Sequence, residues 1–314
     1  MLLIHRMRLH LLPLLLFSVF STTLASSATA APSTFAYGSD PLQKLDVYPA
    51  SGSAQKSDLP VVIWVHGGGW RTGDKDNRAG VNLCKAWAAA GIVVVNLNYR
   101  LTPDVVHPAH VQDVAAGIAW VHKNIAEHAG SPRKVYLLGH SAGAHLVALV
   151  GTNPKYLQAH GLIPKTALAG VMPIDTASFD LSGTRTLAVR KMIKDAFGTN
   201  PATLSEASPL LQARLNRGSC PPFIIAATKQ RPEAVEESAA LKNALPGSKL
   251  IVMDYPGDGQ LKAHGQIAQD LLDLDNSMTR QLLAFVGAAQ IASQSPGTAP
   301  PAKEESRRKL IKRP

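Results

Sequence analysis

The sequence predicts an α/β fold in which a mostly parallel central sheet carries helices on both faces. Short apolar runs bounded by glycine or proline recur along the chain, and such runs are typical of strands buried on both sides. They alternate with longer stretches whose apolar residues recur at helical spacing, which is typical of a parallel sheet with helical crossovers. The chain has 314 residues, 46% of them hydrophobic, which is enough for one domain with a large core.

The individual elements can be predicted in order along the chain. Alternating residues before Pro49 predict an edge strand. Apolar runs predict six further strands, the first three of them buried, which are Leu59–Val65, Ile92–Leu97, the run around Val135–Leu138, Leu168–Ile174, Phe223–Ala227 and Lys249–Tyr255. Apolar residues at helical spacing predict helices at Arg78–Ala90, His110–Glu127, Ala142–Gly151, Pro232–Leu245 and Ser277–Ala289. The segment Thr176–Leu211 is predicted to be a loose insertion with one helical piece near Leu187–Phe197.

The N-terminal segment is predicted to direct export. Arg6 and Arg8 precede an apolar run, and small residues then end in an Ala-x-Ala site at Ala30. This pattern predicts a signal peptide over residues 1–30, with an uncleaved anchor as the alternative. We therefore expect a periplasmic or secreted protein whose α/β domain covers residues 31–290, with no membrane span after cleavage.

The positive charge of the chain is concentrated near its ends. Residues 291–314 are predicted to be a disordered tail, and six basic and two acidic residues lie between Lys303 and Arg313. Because the formal charge of +10 owes much to this tail and to the signal peptide, we expect no nucleic-acid partner. A tail that touches anionic surfaces is the weaker alternative.

Neither metal nor cofactor binding is indicated by the sequence. The two cysteines, Cys84 and Cys220, fall in different elements, and the sequence leaves open whether they pair. Neither a CxxC nor a His-x-x-x-His pattern occurs, so we expect no metal and no organic cofactor.

A glycine-flanked serine lies where a predicted strand turns into a predicted helix. In Gly139-His140-Ser141-Ala142-Gly143, small residues on both sides permit a sharp bend that sets Ser141 clear of the sheet, above the helix N-terminus. A flexible serine turn is the plainer interpretation of the Gly-x-Ser-x-Gly pattern. Its place between strand and helix favours a nucleophile.

A second glycine cluster, His66-Gly67-Gly68-Gly69-Trp70, directly follows the strand predicted at Leu59–Val65. Because glycine has no Cβ, backbone N–H groups in such a loop can approach a substrate closely. The N–H groups of Gly68, Gly69 and Ala142 are therefore predicted to hold an oxyanion. A surface turn or a phosphate loop is the alternative, although the phosphate-loop spacings are absent. We predict a structural role for His66.

These motifs together resemble a known superfamily. HGGGW at 66–70, Asn98-Tyr99-Arg100-Leu101, His107-Pro108-Ala109, GHSAG at 139–143 and a late histidine resemble the α/β-hydrolases. They are most similar to the esterase branch that includes bifunctional feruloyl and acetyl xylan esterases, and less closely to the kynurenine formamidases. The resemblance covers roughly residues 37–287. It implies the α/β-hydrolase fold, and we expect the insertion and the surroundings of Trp70 and Tyr99 to bind the substrate.

The resemblance places the catalytic base at His264. A serine nucleophile requires a base at hydrogen-bond distance, and the fold supplies it after the final strand. The strand predicted at Lys249–Tyr255 is followed by a segment, Pro256–Gly265, that is predicted to be a loop and that contains this histidine.

The acid is the point at which this sequence departs from the family pattern. The expected position, after the strand predicted at Phe223–Ala227, aligns with Gln230, whose neutral amide cannot stabilise an imidazolium as a carboxylate does. We favour Asp175, at the end of the preceding strand, with Glu233 at the start of a helix as the alternative. Asp258, or a triad that lacks its acid, completes the set of possibilities.

The predicted function is that of a serine-dependent carboxylic ester hydrolase that acts through an acyl-enzyme on small or carbohydrate-linked acyl esters. A kynurenine-formamidase-like amide hydrolase is one alternative, although the predicted export favours esters over a cytosolic amide. A hydrolase-fold binding protein with an incomplete triad is the other, and Gln230 is the residue that keeps it open. The sequence leaves the oligomeric state undetermined.

Overall fold

The computed structural model describes residues 31–53, 56–183 and 187–288. The predicted signal peptide and the predicted basic tail lie outside the described residues. None of the helices in the described part of the chain combines the length and the apolar character that a membrane span requires.

Eight strands form one sheet, in the order β1-β2-β4-β3-β5-β6-β7-β8. The strands are β1 (Ser33–Ala36), β2 (Lys44–Tyr48), β3 (Leu59–Val65), β4 (Val93–Leu97), β5 (Gly130–His140), β6 (Gly170–Ile174), β7 (Ile224–Thr228) and β8 (Lys249–Met253). The pairs β1–β2 and β2–β4 are antiparallel, whereas every pair from β4 to β8 is parallel. The predicted mostly parallel sheet is therefore confirmed.

Helices cover both faces of the sheet. They are α1 (Arg78–Ala89), α2 (Ala109–Asn124), α3 (Ala142–Thr152), α4 (Pro154–Gln158), α5 (Pro164–Ala167), α6 (Leu187–Phe197), α7 (Pro201–Glu206), α8 (Pro209–Leu215), α9 (Pro232–Ala244), α10 (Gln260–Asp270) and α11 (Ser277–Val286). Alternate residues of β3 enter different cores: Ile63 packs with residues of α2 and α3, whereas Val62 packs with residues of α1 and α11. This alternation is what a strand buried on both faces requires.

The insertion between β6 and β7 is more ordered than the sequence analysis predicts. One helical piece is expected there, whereas α6, α7 and α8 are present. The side chain of Asn200 caps α7 by accepting hydrogen bonds from Ala202 N and Thr203 N, and Pro201 occupies the first turn. In α8, Pro209 likewise follows Ser208. A capping residue followed by proline is a helix-start signal, so both helices had a signature that periodicity alone does not detect.

The segment after β8 is helical where a loop is expected. His264 lies within α10, and of this helix only Ala263 and Ile267 are buried. Such a narrow apolar stripe gives weak helical periodicity, which explains the wrong prediction. The short first strand, β1, was also not predicted, because its residues are mostly exposed. Because His264 lies in α10, its backbone is held by a helix that packs on the sheet.

The sequence leaves open whether the two cysteines pair, and in the structure both are free. Cys84 is buried in α1, and the thiol of Cys220 donates to the carbonyl oxygen of Asn216 at 3.3 Å. Burial raises the pKa of Cys220 to about 11, so this thiol is protonated at neutral pH.

Candidate active site

The candidate nucleophile lies on a tight turn between β5 and α3. β5 ends at His140 and α3 begins at Ala142, so Ser141 alone connects them. Its φ of 57° and ψ of −119° belong to a region that costs a non-glycine residue about 1–3 kcal/mol. A Cβ at Gly143 would collide with the backbone oxygen of Val65, so the turn packs directly against the end of β3. The predicted strand–turn–helix corner is present at this serine.

The glycine loop passes beside the serine. The loop follows β3 directly, and a Cβ at Gly67 would lie 3.1 Å from Ser141 Cβ. The next two residues have positive φ values, 116° at Gly68 and 60° at Gly69, which glycine adopts without strain. The carbonyl oxygen of Gly68 accepts three hydrogen bonds from the following turn, donated by Arg71 N, Thr72 N and Thr72 Oγ, and this fixes the course of the loop.

Three backbone donors near the serine are available to an anion. In the described part of the chain, the N–H groups of Gly68 and Gly69 donate no hydrogen bond. The N–H of Ala142, at the first position of α3, has no acceptor within its own helix because the first four N–H groups of a helix never do. Such donors, together with the positive end of the α3 dipole, can stabilise a developing negative charge.

Asp175 and His264 form a hydrogen-bonded pair. His264 Nδ1 lies 2.6 Å from Asp175 Oδ2, although the two residues are far apart in the chain. Asp175 directly follows β6, has a φ of 51° and is fully buried. His264 extends from α10 with 20% of its side chain exposed. Asp175 is the acid that the sequence favours over the others, and the structure shows its carboxylate in contact with the imidazole.

Every acceptor position of the Asp175 carboxylate is used. Oδ1 accepts from Thr228 N at 2.9 Å and from Thr228 Oγ at 3.2 Å. Oδ2 accepts from His264 and also from Arg231 Nη1 at 2.7 Å. Burial opposes ionisation of this group, but the hydrogen bond from His264 and the charge of Arg231 outweigh it and lower the pKa of Asp175 to about 2. The carboxylate is therefore ionised at neutral pH.

The other candidate acids lie away from the imidazole. Glu233 is exposed and borders a separate depression beside Arg214 and Glu236. Asp258 forms an ion pair with Lys262 at 2.7 Å. Gln230, in the position where the family carries its acid, donates through Nε2 to Asp254. Among the described carboxylates, Asp175 is the one that contacts His264.

Ser141 and His264 lie at the same edge of the sheet without a direct hydrogen bond. Ser141 N donates to the carbonyl oxygen of Ile174 at 3.0 Å, and the residue after Ile174 is Asp175. Within the described residues, neither Ser141 Oγ nor His264 Nε2 has a hydrogen-bond partner. Because catalytic hydrogen bonds are often long in ligand-free enzymes and shorten with substrate, the free Nε2 is the atom available to accept the serine proton.

His140 contacts both parts of the site, a role that the sequence analysis missed. Its Nε2 donates to the carbonyl oxygen of His264 at 3.0 Å, and the two rings lie 4.4 Å apart. Burial, followed by the proximity of His264, lowers the pKa of His140 to about 3. His140 is therefore neutral and is a fixed donor to the backbone of the candidate base. The sequence signal that could have indicated this role is the position of His140 directly before Ser141 in the serine motif.

Trp70 and Tyr99 do not line an open pocket, contrary to the expectation that they bind substrate. Tyr99 is fully buried, its ring stacks on His66, and its hydroxyl donates to the carbonyl oxygen of His66 at 3.2 Å. Trp70 is 3% exposed and packs edge-on against His145 and Phe197. Both side chains support the glycine loop from below. The buried His66, as predicted, belongs to this supporting layer.

Helix α6 supplies the apolar surface beside the glycine loop. A Cβ at Gly69 would lie 2.8 Å from Met192 Sδ, and Met192 is 38% exposed. An ion pair between Arg71 and Asp195, at 3.0 Å, also joins α6 to the segment after the loop. The insertion therefore contacts the glycine loop through Met192, which the sequence alone does not single out, and its role in substrate binding stays a prediction.

The geometry of the histidine–aspartate cluster does not suit a metal ion. Donor atoms of His140, Asp175 and His264 lie within 4.8 Å of one another. However, Arg231 Nη1 is 2.7 Å from Asp175 Oδ2, and a guanidinium at that distance repels a cation. The arrangement suits proton transfer from a serine, with donors nearby for an oxyanion.

Three comparisons relate the chain to known proteins. A family model described as BD-FAE matches residues 45–245. The esterase LipC of Mycobacterium tuberculosis is 28% identical over 250 residues, which are 76% of this chain and 59% of LipC. The kynurenine formamidase of Danio rerio is 29% identical over 274 residues, which are 85% of each protein. The crystal structure of esterase B from Lactobacillus rhamnosis superposes with a TM-score of 0.64 at 20% identity, over 85% of this chain and 89% of that one. The match thus spans about three-fifths of LipC, and the structural likeness shows the fold.

Proposed function

Because the chain belongs to the BD-FAE family, we propose that it is a serine-dependent carboxylic ester hydrolase. The observation that carries the proposal is the pairing of a buried, ionised Asp175 with His264 at 2.6 Å, at the sheet edge where Ser141 occupies a strained turn. In this proposal the arrangement would supply a nucleophile, a base, an acid and oxyanion donors, which is the full set that acyl transfer requires.

In the proposed reaction, His264 Nε2 accepts the proton of Ser141 as Oγ attacks the ester carbonyl carbon. The N–H groups of Gly68, Gly69 and Ala142 bind the oxyanion. Asp175 stabilises the imidazolium, which then gives its proton to the departing alkoxide and leaves an acyl-enzyme. Water donates a proton to His264 and attacks the acyl carbon, and the proton returns to Ser141 Oγ as the carboxylic acid leaves.

The substrate class that we propose is a small or carbohydrate-linked acyl ester. The acyl group attached to Ser141 would lie beside the glycine loop, where Met192 presents a thioether rather than a charge. The alcohol side would face solvent, since His264 is itself part-exposed, and an open alcohol side suits a carbohydrate.

A formamidase activity is the second candidate. The similarity to a kynurenine formamidase extends over 85% of both proteins, which is the observation that favours it. A panel of p-nitrophenyl esters, feruloyl and acetyl-xylan esters, and N-formylkynurenine separates the two. A kcat/KM for N-formylkynurenine at least tenfold above that for every ester would replace the esterase proposal.

The replacement of Ser141 by alanine provides the direct test. We expect S141A to lower hydrolysis of p-nitrophenyl acetate by about 10³-fold to 10⁶-fold, because the nucleophile is lost. The matched control is S182A, which removes an exposed serine hydroxyl bonded to Asp180 and should leave the rate within about twofold of the wild type.

A fluorophosphonate probe tests the same proposal without a substrate. Labelling of the wild type at Ser141, found by peptide mass spectrometry and absent from S141A, would support the enzyme. Folded wild-type protein that takes up no label and hydrolyses no ester would instead support a binding protein built on the hydrolase fold.

We further propose that the protein is exported. The motivation is the N-terminal sequence, which lies outside the described residues. Expression of the full chain followed by N-terminal sequencing of the periplasmic fraction should give a chain beginning at Ala31. Full-length protein retained in the cytoplasm would contradict export.

A further inference from the structure

Arg231 contacts both Asp175 and His264, and the sequence alone gives no indication of this position. Its Nη1 is 2.7 Å from Asp175 Oδ2, 2.9 Å from the carbonyl oxygen of Asp175 and 2.7 Å from His264 Nδ1. The side chain is 18% exposed. It extends from the connection between β7 and α9, next to Gln230, which replaces the expected acid.

Two donors, His264 Nδ1–H and Arg231 Nη1–H, therefore share one carboxylate oxygen, and the ring nitrogen itself lies beside one acceptor and one donor. When His264 Nδ1 carries a proton, it donates to Asp175, and Nε2 has the lone pair that can accept the Ser141 proton. When Nδ1 lacks the proton, it accepts from Arg231, and Nε2 carries the proton instead. The second tautomer cannot act as the base, so Asp175 and Arg231 favour opposite states of the ring.

The charge of Arg231 also acts on the reaction. As Ser141 attacks, His264 becomes an imidazolium, and Asp175 stabilises this cation. A guanidinium at hydrogen-bond distance from the same carboxylate oxygen opposes that cation by like-charge repulsion. The contact thus places a positive charge 2.7 Å from the ring nitrogen of His264 at the step in which the ring itself becomes positive.

We propose that Arg231 is a positioning residue that holds the Asp175 carboxylate and sets the lower limit of the pH range in which His264 works as a base. This proposal rests on the proposed function. It assigns two effects to one side chain: Asp175 is anchored through its carboxylate and its carbonyl oxygen, and protonation of His264 by solvent is opposed.

The ionisable groups around the imidazole come from several elements. Asp175 follows β6, Arg231 precedes α9, and His140 ends β5 with its ring against His264. Tyr255, before α10, is close enough to Asp175 that the carboxylate contributes to the rise in its pKa, after burial and Asp270. On α10 itself, Lys262 is paired with Asp258. Of these groups, Arg231 is the cation that touches the pair.

The test compares two substitutions at this position. R231Q removes the charge but retains an amide donor, whereas R231K retains the charge with one donor group. We expect R231Q to move the acidic midpoint of the kcat/KM profile for p-nitrophenyl acetate upward by about one pH unit, and R231K to stay within about 0.3 unit of the wild type. The control is K229Q, which removes a cation paired with Asp254 at 2.7 Å and should not move the midpoint.

Several outcomes would overturn the proposal. A rate that falls in R231Q with no change of midpoint would mean that Arg231 only supports the fold. A shift of the same size in K229Q would mean that net charge, rather than the contact, is responsible.

A second measurement does not depend on activity. The ring nitrogens of His264 can be followed by ¹⁵N NMR across the same pH range, in the wild type and in R231K and R231Q. Protonation at higher pH in R231Q, in a protein that hydrolyses no ester, would support the role of Arg231 while the proposed function fails. Identical titration of the His264 ring nitrogens in the wild type and in R231Q would reject the inference.

Discussion

The two sides of the site are built in different ways. The nucleophile side is made of backbone: a strained Ser141, a glycine loop and a helix N-terminus held at the ends of adjacent strands. The acid–base side is made of side chains from separate elements, with Asp175, His264 and Arg231 meeting at one carboxylate. Backbone geometry of the first kind tolerates few residue types, whereas a carboxylate can enter the second from more than one strand.

This difference explains where substitutions should matter most. On the nucleophile side, a Cβ added at Gly67, Gly68 or Gly143 would meet backbone atoms and distort the fold. On the acid–base side, the contacts are made by side chains, so substitutions there change the protonation of His264 and Asp175 more than they change the fold. Substitutions that separate a loss of chemistry from a loss of structure therefore distinguish the two sides of the site.

The largest effect is expected at Asp175. D175N keeps the shape of the side chain but removes the charge that holds His264 in the reactive tautomer. We expect kcat to fall by about 10²-fold to 10⁴-fold, with KM changed little. Steady-state kinetics with p-nitrophenyl acetate would measure both constants.

The controls for this prediction are the other acids. E233Q and D258N should keep kcat within about twofold of the wild type, since neither carboxylate contacts His264. A thermal unfolding scan would exclude a general loss of structure in D175N. A large loss in E233Q with little change in D175N would reverse the assignment of the acid and would also remove the basis for the role of Arg231.

A smaller effect is expected at His140, which joins the two sides. H140F retains a ring against His264 but loses the hydrogen bond to its carbonyl oxygen, while H140Q retains a donor. Since such a bond contributes about 1 kcal/mol, we expect kcat to fall by about fivefold in H140F and to be largely restored in H140Q. If the variants fall equally, or if KM alone rises, His140 does not position the base.

What could be predicted from the sequence follows the same division. The corner at Ser141 and the glycine loop were predicted, because glycine at fixed spacing reports a backbone constraint. His264 was placed through the resemblance, but its helix was missed because only Ala263 and Ile267 of α10 are buried.

The contacts of the acid–base side had no comparable signal. Asp175 was one of several candidates, since only the sheet order shows that the end of β6 faces α10. Arg231 was missed because a cation after a strand is usually solvated, and nothing in the local sequence indicates a partner more than fifty residues away. Trp70 and Tyr99 were misplaced for the opposite reason: their proximity in sequence to the motif did not reveal that they pack beneath it.

The smallest effect concerns acyl-chain preference. Met192 covers Gly69 from α6, so M192A should open space beside the acyl carbon while leaving the acid–base side unchanged. We expect the ratio of kcat/KM for p-nitrophenyl butyrate to that for acetate to rise by about threefold to tenfold, because the two added methylenes together would gain about 1 kcal/mol in the opened space, which is the low end of what one methylene contributes in an apolar pocket. The matched control is L187A on the same helix, where the side chain is 79% exposed and should leave the ratio unchanged. An unchanged ratio in M192A would place the acyl group away from the insertion, because a side chain that borders the acyl site cannot be shortened without altering the space that the acyl chain occupies.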